Sequence, residues 1–265
     1  LQAYYINLAH RTDRRASMEA QFEHLGLAGK RVEATLAKDL PAELLAQHAA
    51  LGAHMRLSLR EFSVGVNHRK TCSEFLATQA RHALILEDDI VLSGRISNFL
   101  EQFERNDQGI DLLRIETFNA PAQISRQTKS TLAGIALHSL HGWTWGSAAY
   151  IISRRAAQAF VDRPEALNSI IDRVLYRPHR TVLGPIKRLQ LVPALAIQSD
   201  RMDGAVWGGD SDLTASRSEG LAAPKPTLAQ AVARFIDNEI MIGLPTILHR
   251  AIGLSHKRHI PFDAG

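Results

Sequence analysis

The chain has 265 residues, 45% of them hydrophobic, with 31 basic and 27 acidic side chains, a formal charge of +4 and a pI near 9.4. That content excludes a mainly disordered chain and fits one large α/β domain, alone or with an appendage. The basic balance favours anionic partners, a phosphorylated substrate or an acidic membrane surface, while no zinc-finger spacing, RNP aromatic motif or recognition helix supports nucleic-acid binding.

In chain order, "AYYINL" (Ala3 to Leu8) is short, apolar and rich in β-formers, and reads as a buried first strand. Thr12 then caps a helix whose Met18, Phe22 and Leu25 recur at helical spacing, with Gly26 as its stop. "RVEATL" is a second strand, Pro41 to Leu51 a short helix, and Val66 to Gln79 a helix feeding the strand "ALILE". "IDLLRIE" and "GSAAYIIS" are further strands, "RRAAQAFV" and Glu165 to Tyr176 helical, and "LQLVPALAI" the last strand of the regular part. Strands alternating with helices predict a mainly parallel sheet covered on both faces, with ligands at the carboxyl ends of its strands.

Residues 1–200 therefore read as the α/β domain. Residues 201–226, rich in Gly, Ser, Asp, Ala and Pro, read as a flexible loop able to order as a lid. Residues 227–265 read as a helical appendage, whose apolar stripes and basic residues fit either a helical pair packed on the domain or a membrane-surface segment. The single cysteine, Cys72, rules out an intramolecular disulfide and suits a reducing cytosol. No basic-then-apolar leader and no run of about 18 apolar residues is present. The expectation is a cytoplasmic protein, soluble or peripheral on the inner membrane.

Chemistry concentrates in "ALILEDDIVLSG" (Ala83 to Gly94), where Glu87, Asp88 and Asp89 follow a buried strand. Adjacent carboxylates raise one another's pKa, and a divalent cation is the common way to keep several ionised. On an extended backbone Glu87 and Asp89 share a side and Asp88 points away, so the pair offers oxygen ligands to Mn²⁺ or Mg²⁺. A solvated acidic turn or helix cap is the alternative. In "NLAHRTDRR", Asn7 and Leu8 close the first strand, and Arg11, Arg14 and Arg15 at a helix start form either an anion site or a solvated basic face. Arg14 is preferred to Arg15 because Met18, four residues on, carries it toward the packed face. Asp172, among Ile170, Ile171, Val174 and Leu175, is either a desolvated general base or the ion-pair partner of Arg173 or Arg177, and Asp200 is the second candidate base. Trp143 and Trp145 in "HGWTWGSAAY" are either core or a platform for a sugar ring.

"YYINLAHRTDRRASMEAQF", "ALILEDDIVLS" and "GSAAYIISRRAAQAF", in this order and spacing, resemble glycosyltransferase family 25, the lipooligosaccharide glycosyltransferases of Gram-negative bacteria, over roughly Ala3 to Asp200. The resemblance implies a GT-A-like α/β fold, a UDP-sugar donor (galactose or glucose), a divalent metal, and inverting transfer to a lipopolysaccharide core or other glycolipid or saccharide acceptor. It makes "EDD" the metal motif, with Asp89 and Glu87 as ligands and Asp88, Asn7, Leu8, Arg11 and Arg14 facing the nucleotide sugar. Two departures stand out: Asn67 replaces a Ser before His68, and "EATLAKDL" lacks the family's Val-Asp-Gly. They motivate a rival reading, a catalytically inactive nucleotide- or saccharide-binding protein on the same fold. A phosphoryl-transfer or hydrolytic enzyme has no Walker-type loop in its favour.

Overall fold

The computed structural model describes residues 1–51, 57–177, 182–202, 227 and 244–265. Most of the expected loop at 201–226 and of the appendage before Leu244 lies outside the described residues, as does any lid built from them.

The N-terminal half follows the expected alternation: β1 (Gln2–Leu8), α1 (Thr12–Leu25), β2 (Gly29–Ala34), α2 (Ala42–Ala50), α3 (Leu59–Leu76), β3 (His82–Glu87). Gly26 ends α1 with φ of 63°, the left-handed turn that favours glycine. Thr12 is the first helical residue rather than the cap; Arg11 holds that position and makes no side-chain capping bond. Helix α3 starts well before Val66, because Ser58 and Glu61 form a reciprocal capping box at its N-terminus.

Beyond β3 the chain carries β4 (Ile90–Leu92), α4 (Ile96–Arg105), β5 (Leu112–Arg114), β6 (Glu116–Thr117), β7 (Pro121–Ser125), β8 (Ser130–Leu132) and β9 (Ile135–Ser139). There follow β10 (Ala149–Ser153), α5 (Arg154–Val161), α6 (Ile171–Tyr176), β11 (Arg188–Val192), β12 (Ala196–Gln198), α7 (Leu244–Ala251) and β13 (Ser255–His259). The expected strand over 189–197 is two strands, divided at the cis Val192–Pro193 bond. The expected helix over 165–176 is a 3-10 turn, Pro164–Asn168, and then α6. After Ala251 the chain is not helical but pairs as β13 with β7, a distant partner that local periodicity does not reveal.

The main sheet has the order β2-β1-β3-β10-β5-β11-β9-β8. Strands β2, β1 and β3 are parallel, as are β5 and β11, while β10 enters antiparallel between β3 and β5. A strand reached by a loop rather than a helical crossover is free to take that direction. The sheet is covered on both faces. Along β1, Tyr4 and Ile6 pack with Phe62, Phe75 and Phe160 of α3 and α5, while Ala3 and Tyr5 pack with Met18, Phe22, Phe99 and Phe103 of α1 and α4. This period of two, apolar on both faces, is why the strand reads as a continuous hydrophobic run. A small sheet, β4-β12-β6, sits beyond the carboxyl end of β3.

Candidate active site at the carboxyl ends of the first and third strands

Strands β1 and β3 run parallel in register, with Ile6 opposite Glu87, so Asn7 and the acidic triplet leave the sheet side by side. Asp88 and Asp89 form a turn before β4. The alternation expected of an extended strand therefore fails there: Asp88 does not point away. Arg14 Nη1 lies 3.0 Å from Asp88 Oδ1 and 3.4 Å from Asp89 Oδ2, which brings these two carboxylates to one cation. Asn7 donates at 2.8 Å to Asp88 Oδ2 and at 3.0 Å to the carbonyl of Arg11, and Arg31 Nε donates at 2.9 Å to Asn7 Oδ1. Asp88, buried, is thus the anchor that orders Asn7 and Arg14.

Of the predicted arginines, Arg14 is the one whose described contacts reach Asp88 and Asp89. Arg11 forms a two-point pair with Asp13, at 3.0 and 2.8 Å, and Arg15 pairs with Glu19. Leu8 contributes its carbonyl to the turn through the N–H of Arg11.

Asp89 is loosely held. Gln198 Nε2 lies 3.4 Å from each of its oxygens, and its carbonyl accepts the Ser199 N–H at 2.8 Å. Burial first, then the charge of Glu87, push its carboxyl up to about 7, against the pull of Arg14. Glu87 itself faces α3: His68 Nε2 is 3.3 Å from Glu87 Oε1, and His68 Nδ1 is 2.9 Å from the Tyr150 hydroxyl. The buried imidazole thus bridges the Glu87 carboxyl and the Tyr150 hydroxyl. Asn67, the departure from the family pattern, receives the Thr35 N–H and donates to the Thr35 carbonyl, pinning the chain after β2.

A second group of acids meets at the start of β10. The Gly146 N–H donates at 3.0 Å to Asp172 Oδ2, and the Ala148 N–H at 2.8 Å to Glu116 Oε1. The Glu87 N–H donates to the Ala148 carbonyl at 2.8 Å, so one stretch of backbone joins the two groups. Burial raises the Asp172 pKa; bonds from Gly146 and Ser147 counter it, and Glu87 adds to it. Asp172 pairs with neither Arg173 nor Arg177 in any described ion pair; Arg173 instead lies over the Trp143 ring, 5.4 Å from its centroid. Asp200 follows Ser199, which bonds to Asp89, and lies 3.8 Å from Arg201 Nε.

Glu116 is only weakly marked in the sequence. It is fully buried, its Oε2 has no hydrogen-bond partner among the described residues, and burial drives its pKa up to about 8, with Asp172 and Glu87 adding to the shift. Arg114 Nε stands 4.0 Å away, but that guanidinium is committed to Gln190 Oε1 at 2.8 Å and the Trp145 carbonyl at 2.6 Å. The one signal was an Arg and a Glu two apart in an otherwise apolar strand. Gly146 permits this approach: its φ is 97°, and a Cβ there would meet Phe118 at 2.5 Å and Arg114 Nη2 at 2.9 Å.

Among the described residues, no three His, Cys, Asp or Glu side chains form a ready metal cluster, and no helix is long and apolar enough to cross a membrane. Glu87 and Asp89 are a pair of hard oxygen donors beside the anchored Asp88.

Glycosyltransferase family 25 (LPS biosynthesis protein) matches residues 1–175. The lacto-N-neotetraose biosynthesis glycosyltransferase LgtB of Neisseria meningitidis serogroup B is 29% identical over 75% of this chain and 75% of its own length. The lipooligosaccharide biosynthesis protein lex-1 of Haemophilus influenzae is 30% identical over 59% of this chain and 55% of its own. A glycosyltransferase involved in glycosylation of the major capsid of PBCV-1 superposes with a TM-score of 0.41 and 11% identity, covering 74% of this chain and 92% of that one.

Proposed function

The chain belongs to glycosyltransferase family 25, and from that membership we propose that it moves a hexose, galactose or glucose, from a UDP-sugar to the saccharide of a lipopolysaccharide or lipooligosaccharide core. The observation that carries the reading is the meeting of Asn7, Arg14, Glu87 and Asp89 at the carboxyl ends of two parallel strands, where α/β sheets bind nucleotides. The names of the LgtB and lex-1 relatives support the class of acceptor.

A divalent cation fits the donor set. Glu87 and Asp89 supply hard oxygens, their mutual repulsion is what a cation relieves, and two protein ligands leave the remaining positions for phosphate oxygens and water. When bound, such an ion would neutralise the charge of the departing diphosphate as a Lewis acid. The chain's own residues do the rest. Arg14 holds negative charge at the site, and Asn7 fixes the end of β1. Asp172 is the proposed general base, with Asp200 second: as the acceptor hydroxyl oxygen bonds to the anomeric carbon and the bond to the diphosphate breaks, Asp172 takes the hydroxyl proton. Attack opposite the leaving group inverts the anomeric centre. The half-buried Trp143 and Trp145, at 4.3 Å between ring centroids, lie just before Gly146 and so border Asp172 on the acceptor side.

Calorimetric titration of UDP, UDP-galactose and UDP-glucose, with and without Mn²⁺, tests the reading. Metal-dependent binding that Asp89→Asn abolishes supports it. Absence of nucleotide binding under every metal condition overturns it in favour of the inactive binding protein.

A further inference from the structure

Helix α7 is amphipathic in the reverse sense. Its apolar side chains Leu244, Ile247 and Leu248, continued by Ile252 just past its end, follow the spacing that makes one helical face, and all four are more than half exposed, from 54% to 62%. The face turned to the domain is polar: His249 Nδ1 meets His141 Nδ1 at 3.1 Å, and the Thr246 hydroxyl is 3.4 Å from the His141 carbonyl. The helix ends through Gly253, with φ of 76°, and the Leu254 N–H bonds the His249 carbonyl at 2.8 Å. That turn adds Leu254, 52% exposed, to the outward stripe. A solvated helix normally buries such a stripe, and leaving this area in water is unfavourable.

Among the described residues, the segments next to the stripe carry one sign of charge. Arg126, whose N–H bonds the Leu254 carbonyl, is exposed, as are Arg250, Lys257 and Arg258. Neither 119–132, which contains β7 and β8, nor 244–262, which contains α7 and β13, holds an aspartate or glutamate. Large apolar side chains ringed by cations fit an anionic interface with an apolar interior, where the stripe enters the acyl boundary and the cations meet headgroup phosphates.

We propose that α7, Leu254 and the basic edge of β13 dock this protein on an anionic lipid surface. The choice of lipid over protein rests on the glycolipid-acceptor reading above. Location supports it: His141, which receives α7, precedes the Trp143–Gly146 segment that borders Asp172, so docking here sets the acceptor side of the site against the surface that holds a lipid-anchored glycan.

Sedimentation of the full chain with phosphatidylethanolamine–phosphatidylglycerol vesicles, against phosphatidylcholine vesicles, tests the proposal without turnover. The wild type is expected to bind the anionic vesicles. The double variant Ile247→Asp, Leu248→Asp, altered only at exposed positions, is expected to lose at least about tenfold in partitioning. Lys257→Glu with Arg258→Glu is expected to weaken binding and its salt sensitivity. No binding by the wild type, or equal binding by the Ile247/Leu248 variant, overturns the proposal. So does a wild-type dimer, seen by light scattering, that the same variant dissociates in the absence of vesicle binding, because a second copy then covers the stripe. UDP titration of each variant separates this test from the transferase reading: vesicle binding lost with UDP binding intact concerns the docking surface alone.

Discussion

Replacing Glu116 by Gln tests the electrostatics of the site through stability. Glu116 is fully buried, accepts one backbone N–H and leaves Oε2 unpartnered, and its pKa is raised to about 8. An unfolded glutamate titrates near 4.3. The folded chain therefore holds a proton that the unfolded chain has released throughout the interval between these values. By linkage, stability falls as pH rises from about 4 to about 8. Fully developed, the gap corresponds to about 5 kcal/mol, and relaxation around a buried charge brings it to about 2–5 kcal/mol. Gln keeps the acceptor for the Ala148 N–H and cannot ionise. Its amide nitrogen, set where Oε2 lacks a partner, adds a cost of its own that is independent of pH. The readout is therefore a slope. The stability of Glu116→Gln relative to the wild type, from urea unfolding, should rise by about 2–4 kcal/mol between about pH 5 and about pH 9. A difference that stays flat across that range would show that Glu116 is ionised in the folded protein, and the account of an acid site balanced by protons would be wrong.

Asp172→Asn should lower kcat by about 10²–10⁴ with KM little changed, since the amide keeps the geometry and cannot take a proton; an unaltered kcat would move the base to Asp200. Gly146→Ala should destabilise by about 2–4 kcal/mol, through its positive φ and the contact with Phe118 and Arg114, and a thermal melt at the wild-type temperature would refute the close approach. Asp111 is set against burial by bonds from Arg155, the Lys187 N–H and Ser153, which together hold its pKa below the usual range. Because the folded value is depressed, its contribution is full above about pH 3.9 and is lost as pH falls through the folded value; Asp111→Asn should cost about 2–4 kcal/mol at neutral pH, with the gap to wild type closing in acid. A gap independent of pH would mean the bonds do not depend on the charge.

What the sequence made legible was whatever local pattern determines. The triplet at the end of β3 stood out because an apolar run stops there, and Arg14 was separable from Arg15 because helical geometry assigns each a face. Helix α4 was equally legible and went unread: Ile96, Phe99, Leu100 and Phe103 repeat at helical spacing and are all buried. By contrast β7, β8 and β9 are short and partly polar, and pair only with one another, β11 or β13. Asp88 was misplaced because a turn, not a strand, follows Glu87. Glu116 escaped because the groups that define its state, Ala148, Arg114 and Asp172, come from other parts of the chain.

The insertion of β10 explains why the acids gather as they do. A strand running antiparallel to β3 delivers its start, not its end, to the site, and the start brings the N–H groups of Gly146 and Ala148 to Asp172 and Glu116 and the Ala148 carbonyl to Glu87. Among the described residues, the carboxyls of Glu87, Asp88, Asp89, Glu116 and Asp172 are gathered in this way beside the guanidiniums of Arg14 and Arg114. One of these, on Arg114, is occupied by carbonyls and Gln190, while Arg14 faces the carboxylates of Asp88 and Asp89. Such an excess of acid is tolerable only if part of it is neutral or if positive charge arrives from outside. Glu116 takes the first course, with a pKa of about 8. Asp89, at about 7, is balanced between the two, and its side-chain contacts, to Gln198 and Arg14, are all long at 3.4 Å. The triplet is therefore not three equivalent ligands. Asp88 fixes the protein's own donors, Glu87 is oriented by His68, and Asp89 keeps only long contacts to Gln198 and Arg14.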